Sequence, residues 1–409
     1  MAMTGSTPPN LLDGVRVLDF TQYLAGPAST RLMAEMGAEI LKVEQPPYGD
    51  PMRATYPRRN RRSGSFMQQN RGKKGLCIDL AQPEGVALVK ELIPHVDVVV
   101  ENFTPGVMAR RGLDYESLKE INAGIIMASV SGYGQTGALS SQSSFDFIAQ
   151  AYAGIMHVTG DPEGPPTFVG TGLADTNSGV HAFAGIGYAL FHKERTGVGT
   201  HVDISMVDAL FHMHEVHVVA PSLTDDEYVP SRNGRHYGPV APAGSFKGPE
   251  GWIVVLCGVN QIQNLWQTLG QPELADDPRF ATNETRSEHR DDLTEIIETW
   301  MATFDSNEAV LAALKEGRVP AGPVMNPADA MNEPYFQSRD MVREVNDPIA
   351  GPYRIPGFPI KFSAAAPEPD LVAPTMGQHN REVLQSILGY DDSAIDAWEE
   401  AGLLGSKDR

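Results

Sequence analysis

The sequence predicts an α/β fold: a Rossmann-like large domain on a parallel sheet, plus a smaller α+β domain. Three observations carry this. Short apolar, β-branched runs alternate with helical stretches through the first half of the chain. That rhythm breaks at the polar, turn-rich residues 221–238. At 409 residues the chain also exceeds one ordinary core.

Residues 15–20 read as a buried strand, 29–36 as a helix, and 39–43, 76–80, 97–100 and 125–130 as further strands. Residues 83–93 open with a proline, placed where a first-turn N–H has no helical partner, and read as a crossover helix. A helix beginning near Asp175, a strand at 201–205 and a helix from Val207 continue the series. Such βαβ units build a parallel sheet covered on both faces, with ligands at the carboxyl ends of its strands. Beyond the break, 243–246 and 252–257 predict antiparallel strands, with helices from Ile262, Asp291 and Ser306. The proline-rich last segment ends in helices near 381–388 and 393–401. The expected division is 1–225 for the N-terminal part of the large domain, 226–325 for the small domain, and 326–409 for a linker and C-terminal part.

A formal net charge of −20 disfavours nucleic acid, whose phosphates need a basic face. No apolar run reaches the ~18 residues of a membrane span. The start of the sequence lacks the basic and apolar regions of a signal peptide, and Cys77 and Cys257 read as buried thiols, so a cytoplasmic location is expected. Charge is uneven, however. Between Pro51 and Gly75 there is no acidic residue, while Arg53, Arg58, Arg59, Arg61, Arg62, Arg71, Lys73 and Lys74 all fall there. The window reads as a site for a polyanionic ligand, or else as a solvated loop or subunit contact.

Gly132-Tyr-Gly-Gln-Thr-Gly137 spells the dinucleotide fingerprint after a strand, but the following serine-rich stretch lacks the helix which that motif needs. His214-Glu-Val-His217 is one residue short of the zinc-protease spacing and has no third ligand, so no metal is expected. Neither a nucleophile elbow nor a phosphate-binding loop of the Walker type is present.

One carboxylate stands out. Gly170-Thr-Gly-Leu-Ala-Asp175-Thr-Asn-Ser-Gly179 places Asp175 between glycines, ahead of a small-residue run read as a closely packed buried helix. Asp175 reads as an N-cap whose pKa is lowered by the helix start, or as a nucleophile that glycines allow a ligand to approach.

In order along the chain stand residues 12–27, 34–44, Val100-Glu-Asn-Phe-Thr-Pro-Gly106, 129–137, Phe145-Asp-Phe-Ile-Ala-Gln150 and the Asp175 segment, then 322–324, 357–360 and 377–379. Together these closely resemble the class III CoA-transferases, the family of formyl-CoA and carnitine CoA-transferases, to which α-methylacyl-CoA racemases are related in fold. The resemblance implies CoA transfer between an acyl-CoA and a carboxylic acid through a covalent Asp175 intermediate, with no tightly bound cofactor. It implies an interlocked homodimer whose large domain uses both chain ends. It places Leu24, Ala25, Ile78, Asp79, Leu80 and Ala81 around adenine and ribose. Asn102, Phe103 and Arg110 would hold pyrophosphate and pantetheine, with Phe145 and Asp146 towards the thioester.

The chain departs from parts of the family. Formyl-CoA transferases carry glutamine at the Leu24 position and a glycine-rich loop where residues 233–244 have only scattered glycines, so formate and oxalate chemistry is not expected. Racemases place histidine at the Phe145 position, and phenylalanine moves no proton. An acyl-CoA racemase using another base, a nicotinamide oxidoreductase and a non-catalytic CoA-binding protein are the alternatives. Arg232, Arg235, His236 and Tyr237 offer donors for a second carboxylate, as in succinate, or are loop residues facing solvent or a partner.

Overall fold

The structure, a computed structural model, describes residues 10–363 and 372–406. The chain divides into two compact units, residues 1–154, 169–214 and 337–409 in one, and 155–168 and 215–336 in the other. The short segment 155–168 therefore belongs with the second unit, although composition does not distinguish it from its neighbours.

The first unit carries six parallel strands: β1 (Arg16–Asp19), β2 (Glu39–Glu44), β3 (Lys74–Cys77), β4 (Val98–Glu101), β5 (Ile126–Ser131) and β6 (His201–Ser205). Their spatial order is β3-β2-β1-β4-β5-β6, with Val17 of β1 pairing Ile40 on one side and Val98 on the other. Strand order reverses between β1 and β4, which opens a crevice beyond their carboxyl ends. Strands β1, β2, β4 and β5 are almost wholly buried, which explains their near-continuous apolar sequences.

The helices of this unit include α1 (Ala25–Glu35), α2 (Pro83–Leu92), α3 (Asp146–Tyr152) and α4 (Leu173–Thr196). Small residues let α4 lie against α1. A Cβ on Gly179 would sit 2.7 Å from the Ala28 Cβ and 2.8 Å from the Ala25 carbonyl oxygen. Only one stripe of α4 is buried, however, and Val180, Tyr188 and Phe191 are exposed, so the helix is not enclosed as its small-residue composition suggested. The C-terminal stretch returns to this unit, where Asn380 accepts from the Cys77 N–H and Leu404 bridges Ile78.

In the second unit, strands Ala243–Gly248, Gly251–Leu256 and Ala321–Pro323 form an antiparallel sheet. Ile253 and Val255 point into a core with Trp266, Phe280, Leu293 and Ile297, while Trp252, Val254 and Leu256 alternate outward.

Candidate active site

Two loops meet at the point where strand order reverses. After β1 the chain turns through Thr21–Leu24, and after β4 it continues as Asn102-Phe103. The Asn102 carboxamide joins them, accepting from the Gln22 N–H at 2.7 Å and donating to the Gln22 carbonyl at 2.8 Å. Buried Glu101 shapes the second loop by accepting from the Phe103 N–H at 2.8 Å. Burial pushes its carboxyl up to about 7 against the bonds from Ser129 and Phe103.

The first loop rests on buried charges. Asp19 accepts from the Thr21 N–H and hydroxyl, from the Thr30 hydroxyl at 2.8 Å and from Lys73 Nζ at 2.9 Å. Lys42 donates to the Thr21 carbonyl at 2.7 Å and pairs with Asp50 at 3.1 Å. Asp50 in turn accepts from the Tyr23 N–H at 3.0 Å. Tyr23 has φ +59, a left-handed conformation costly for a side chain of its size, and the Asp50 bond holds it there.

These loops wall a cleft of about 390 Å³, and Leu24, Ala25, Asn102, Phe103, Phe145 and Asp175 all line it. The Tyr23 and Phe145 rings meet edge to face at 6.0 Å. Asp175 is not the N-cap of α4. Gly172 is, and Asp175 stands in the first turn with its own N–H donating to Asp146 Oδ2 at 3.0 Å. Its pKa is raised to about 7, not lowered, because burial and the neighbouring Asp146 charge outweigh the helix start. Gly172 matters through space: a Cβ there would lie 2.6 Å from the Leu24 side chain and 3.7 Å from Asp175 Oδ2.

Other expected residues fall elsewhere. Ile78 is fully enclosed in the core and offers no surface to a ligand. Asp79 stabilises its own turn, accepting from the Ala81 N–H at 2.9 Å and from Gln82 at 3.0 Å. Leu80 lines a second hollow of about 210 Å³ with Gln22, Gln45, Phe103 and Arg111. Arg111, not Arg110, faces that hollow, and it donates to the Leu80 carbonyl at 3.4 Å. Gln22, Gln45 and Arg111 carry no motif that a reading of the sequence could isolate.

Five of the eight cations in the basic window are held by ion pairs, whereas Arg58 and Arg61 line a surface hollow and Arg59 donates to the Pro352 carbonyl. Arg53 pairs with Glu44, Arg62 with Asp347, Arg71 with Glu35, Lys73 with Asp19, and Lys74 with Glu39 and Glu382. All these carboxylates come from outside the window, which is why it holds none. The fingerprint Gly132–Gly137 ends in a turn, Gly137 at φ +97, and no helix opens there. His214 bonds the Ala153 carbonyl through Nε2, and among the described residues no cluster of three acidic, His or Cys side chains forms a metal site. Both cysteines are buried and their thiols are pushed up to about 12 by that burial, which makes them unreactive.

The second-unit arginines are occupied. Arg232 donates to the Asp161 carbonyl at 3.1 Å, and Arg235 pairs with Glu298 at 2.5 Å while lying over Trp252. The Tyr237 hydroxyl donates to Glu215 at 3.3 Å, and burial lowers the His236 pKa. A carboxylate clamp built on these arginines would have to displace their present partners.

A parallel sheet with a carboxylate-lined cleft where its strand order reverses is the arrangement of α/β proteins that take ligands at the carboxyl ends of their strands. The profile of CoA-transferase family III matches residues 12–380, and the chain belongs to that family. It is 38% identical over 398 residues to the succinyl-CoA–D-citramalate CoA-transferase of Chloroflexus aurantiacus, covering 96% of this chain and 98% of that one. It is 35% identical to the mouse succinyl-CoA:glutarate CoA-transferase, covering 94% and 88%. The crystal structure of a CaiB/BaiF family protein from Brucella suis superposes with a TM-score of 0.81 at 32% identity, covering 93% of this chain and all of that one. The protein is thus an enzyme that transfers CoA between an acyl-CoA and a carboxylic acid. No helix among the described residues is long and apolar enough to cross a membrane.

Proposed function

We propose that Asp175 is the nucleophile of this transfer and that the acids exchanged are dicarboxylic. The observation that carries the first part is a raised, part-buried carboxylate lining the cleft between the two crevice loops. Asp175 attacks the donor thioester and expels CoA thiolate, leaving a mixed anhydride. The thiolate attacks the aspartyl carbonyl, releasing the donor acid and forming an aspartyl-CoA thioester. The acceptor carboxylate attacks that thioester, expelling thiolate and giving a second anhydride. Thiolate attack on the acceptor carbonyl yields the new acyl-CoA and restores Asp175. Each step exchanges one acyl bond for another, and the oxyanion role falls to the N–H groups of Gly170 and Gly172, since the Thr171 N–H already donates to the Val169 carbonyl at 2.8 Å.

In this reading the main cleft holds pantetheine along Asn102 and Phe103, and also along Leu24 and Ala25, which line it beside Asp175 and not the Leu80 hollow expected to hold adenine. Asp146 acts behind Asp175, and Phe145 closes the wall. The dicarboxylic assignment is supported by the relatives, whose named acids, succinate, citramalate and glutarate, each carry two carboxylates. Mass spectrometry on a panel of acids with succinyl-CoA tests it: four- and five-carbon dicarboxylates should accept CoA, and exclusive transfer to monocarboxylates would refute it.

The working unit is a homodimer. Val180, Tyr188 and Phe191 form an exposed apolar stripe on α4, and Phe147, Ile148 and Tyr152 add a second on α3. A second copy of the chain covers them, in the interlocked assembly that the family resemblance implies. Sedimentation at micromolar concentration should give twice the 44.3 kDa chain mass, and a monomer would contradict it.

A further inference from the structure

One buried side chain behind the nucleophile has no part in the transfer chemistry, yet it bonds both Asp146, which holds the Asp175 N–H, and the loop ahead of α4. Gln150 is fully buried on α3, one helical turn after Asp146 and on the same face. Its Nε2 donates to Asp146 Oδ1 at 2.6 Å and reaches the carbonyls of Thr171 and Val169 at 3.4 and 3.5 Å. Its Oε1 accepts from the Val169 N–H at 2.9 Å. The other Asp146 oxygen holds the Asp175 N–H.

We propose that Gln150 is the positioning residue of the active site: its carboxamide clamps the 169–172 loop and, through Asp146, the first turn of α4. This rests on the reading of Asp175 as the nucleophile. The clamp needs a donor and an acceptor in one neutral group. Donation to Asp146 fixes that carboxylate, and acceptance from Val169 closes the loop bearing Gly170 and Gly172. A leucine fills the volume but does neither. A glutamate keeps the acceptor, but once ionised it loses the donor and sets another negative charge against Asp146.

Two variants test this by kcat, KM for acyl-CoA and pH profile. Gln150→Leu should lower kcat by about 10²-fold with KM nearly unchanged, the effect expected of a nucleophile misplaced by about an ångström. Gln150→Glu should show a variant-to-wild-type rate ratio that falls steadily as pH rises from about 6 to 8.5, as its carboxyl loses the proton it donates. A merely structural glutamine would lower the melting temperature and leave both the ratio and kcat per folded enzyme flat, which overturns the proposal. If the leucine variant does not fold, the pH ratio of the glutamate variant decides alone. Asp175→Asn separates the readings. Normal turnover there refutes the nucleophile whatever Gln150 does, whereas an inert Asp175→Asn beside a wild-type-like Gln150→Leu refutes the clamp only.

Discussion

Asp175→Asn is expected to abolish CoA transfer, with kcat down by about 10³-fold or more, while CoA binding persists. Asparagine keeps the shape of the first turn of α4 and its N–H bond to Asp146, but a carboxamide forms neither the anhydride nor the thioester. Acidity adds a second signature. The attacking form is the carboxylate, so wild-type kcat/KM should rise with pH through about 7 and then level off. Asp146→Asn removes the like charge and should move that rise to lower pH. Stability moves the opposite way. The folded carboxyl sits above its ordinary value of 3.8, so the folded state keeps a proton that the unfolded chain gives up between about 4 and 7. Folded stability falls as pH rises through that window, and Asn escapes the loss. The melting temperature of Asp175→Asn should therefore gain on wild type between pH 4 and pH 8. Equal transfer rates, or a gain that shrinks with rising pH, would rule this account out.

Lys73→Met should be among the most destabilising single changes in the first unit, at about 3–5 kcal/mol. The lysine ammonium is wholly buried and bonds Asp19, Thr30 and Asn70 at 2.9, 2.7 and 2.9 Å. Without it, Asp19 keeps its charge in a dry interior with one fewer partner. Burial works against the Asp19 carboxylate, but Lys73, Lys42 and the Thr21 bond prevail and hold it at about 2. A depressed carboxyl contributes stability above its unfolded value of 3.8 that is lost as pH falls towards 2. The variant should therefore show a lower urea midpoint at pH 7 and should unfold in acid at a higher pH. Replacing the pair together, with Asp19→Leu added, should recover part of the loss. A midpoint equivalent to less than about 1 kcal/mol of change would show that the ion pair is dispensable.

Strands were legible because a strand buried on both faces must be a continuous apolar run, as Val98–Glu101 is up to its last residue. The paired strands Val342–Asp347 and Gly351–Pro356 were not, since polar and proline residues interrupt them and their order comes from pairing with each other. The sequence singles out Asp175, which lines the cleft, but not its raised pKa. Burial raises its pKa first and the Asp146 charge adds to it; that neighbour lies 29 residues away, and no local pattern reports either the burial or the neighbour. Part of the basic window was illegible for the same reason. Glu35, Glu44 and Asp347 lie outside it in sequence and against it in space. Arg235 likewise looked available only because Glu298 is far along the chain.

The glycine contact between α4 and α1 sets a fixed dimension. Where Gly179 meets Ala25 and Ala28, main chain rests almost on main chain, so no rotamer can widen or narrow the gap. Both helices begin at the cleft, one carrying Asp175 in its first turn and the other starting at Ala25, just after Leu24. Their spacing is thus insulated from substitutions in the loops around the cleft. A chain assembled in this way can vary its loops without relocating the Asp175 carboxylate.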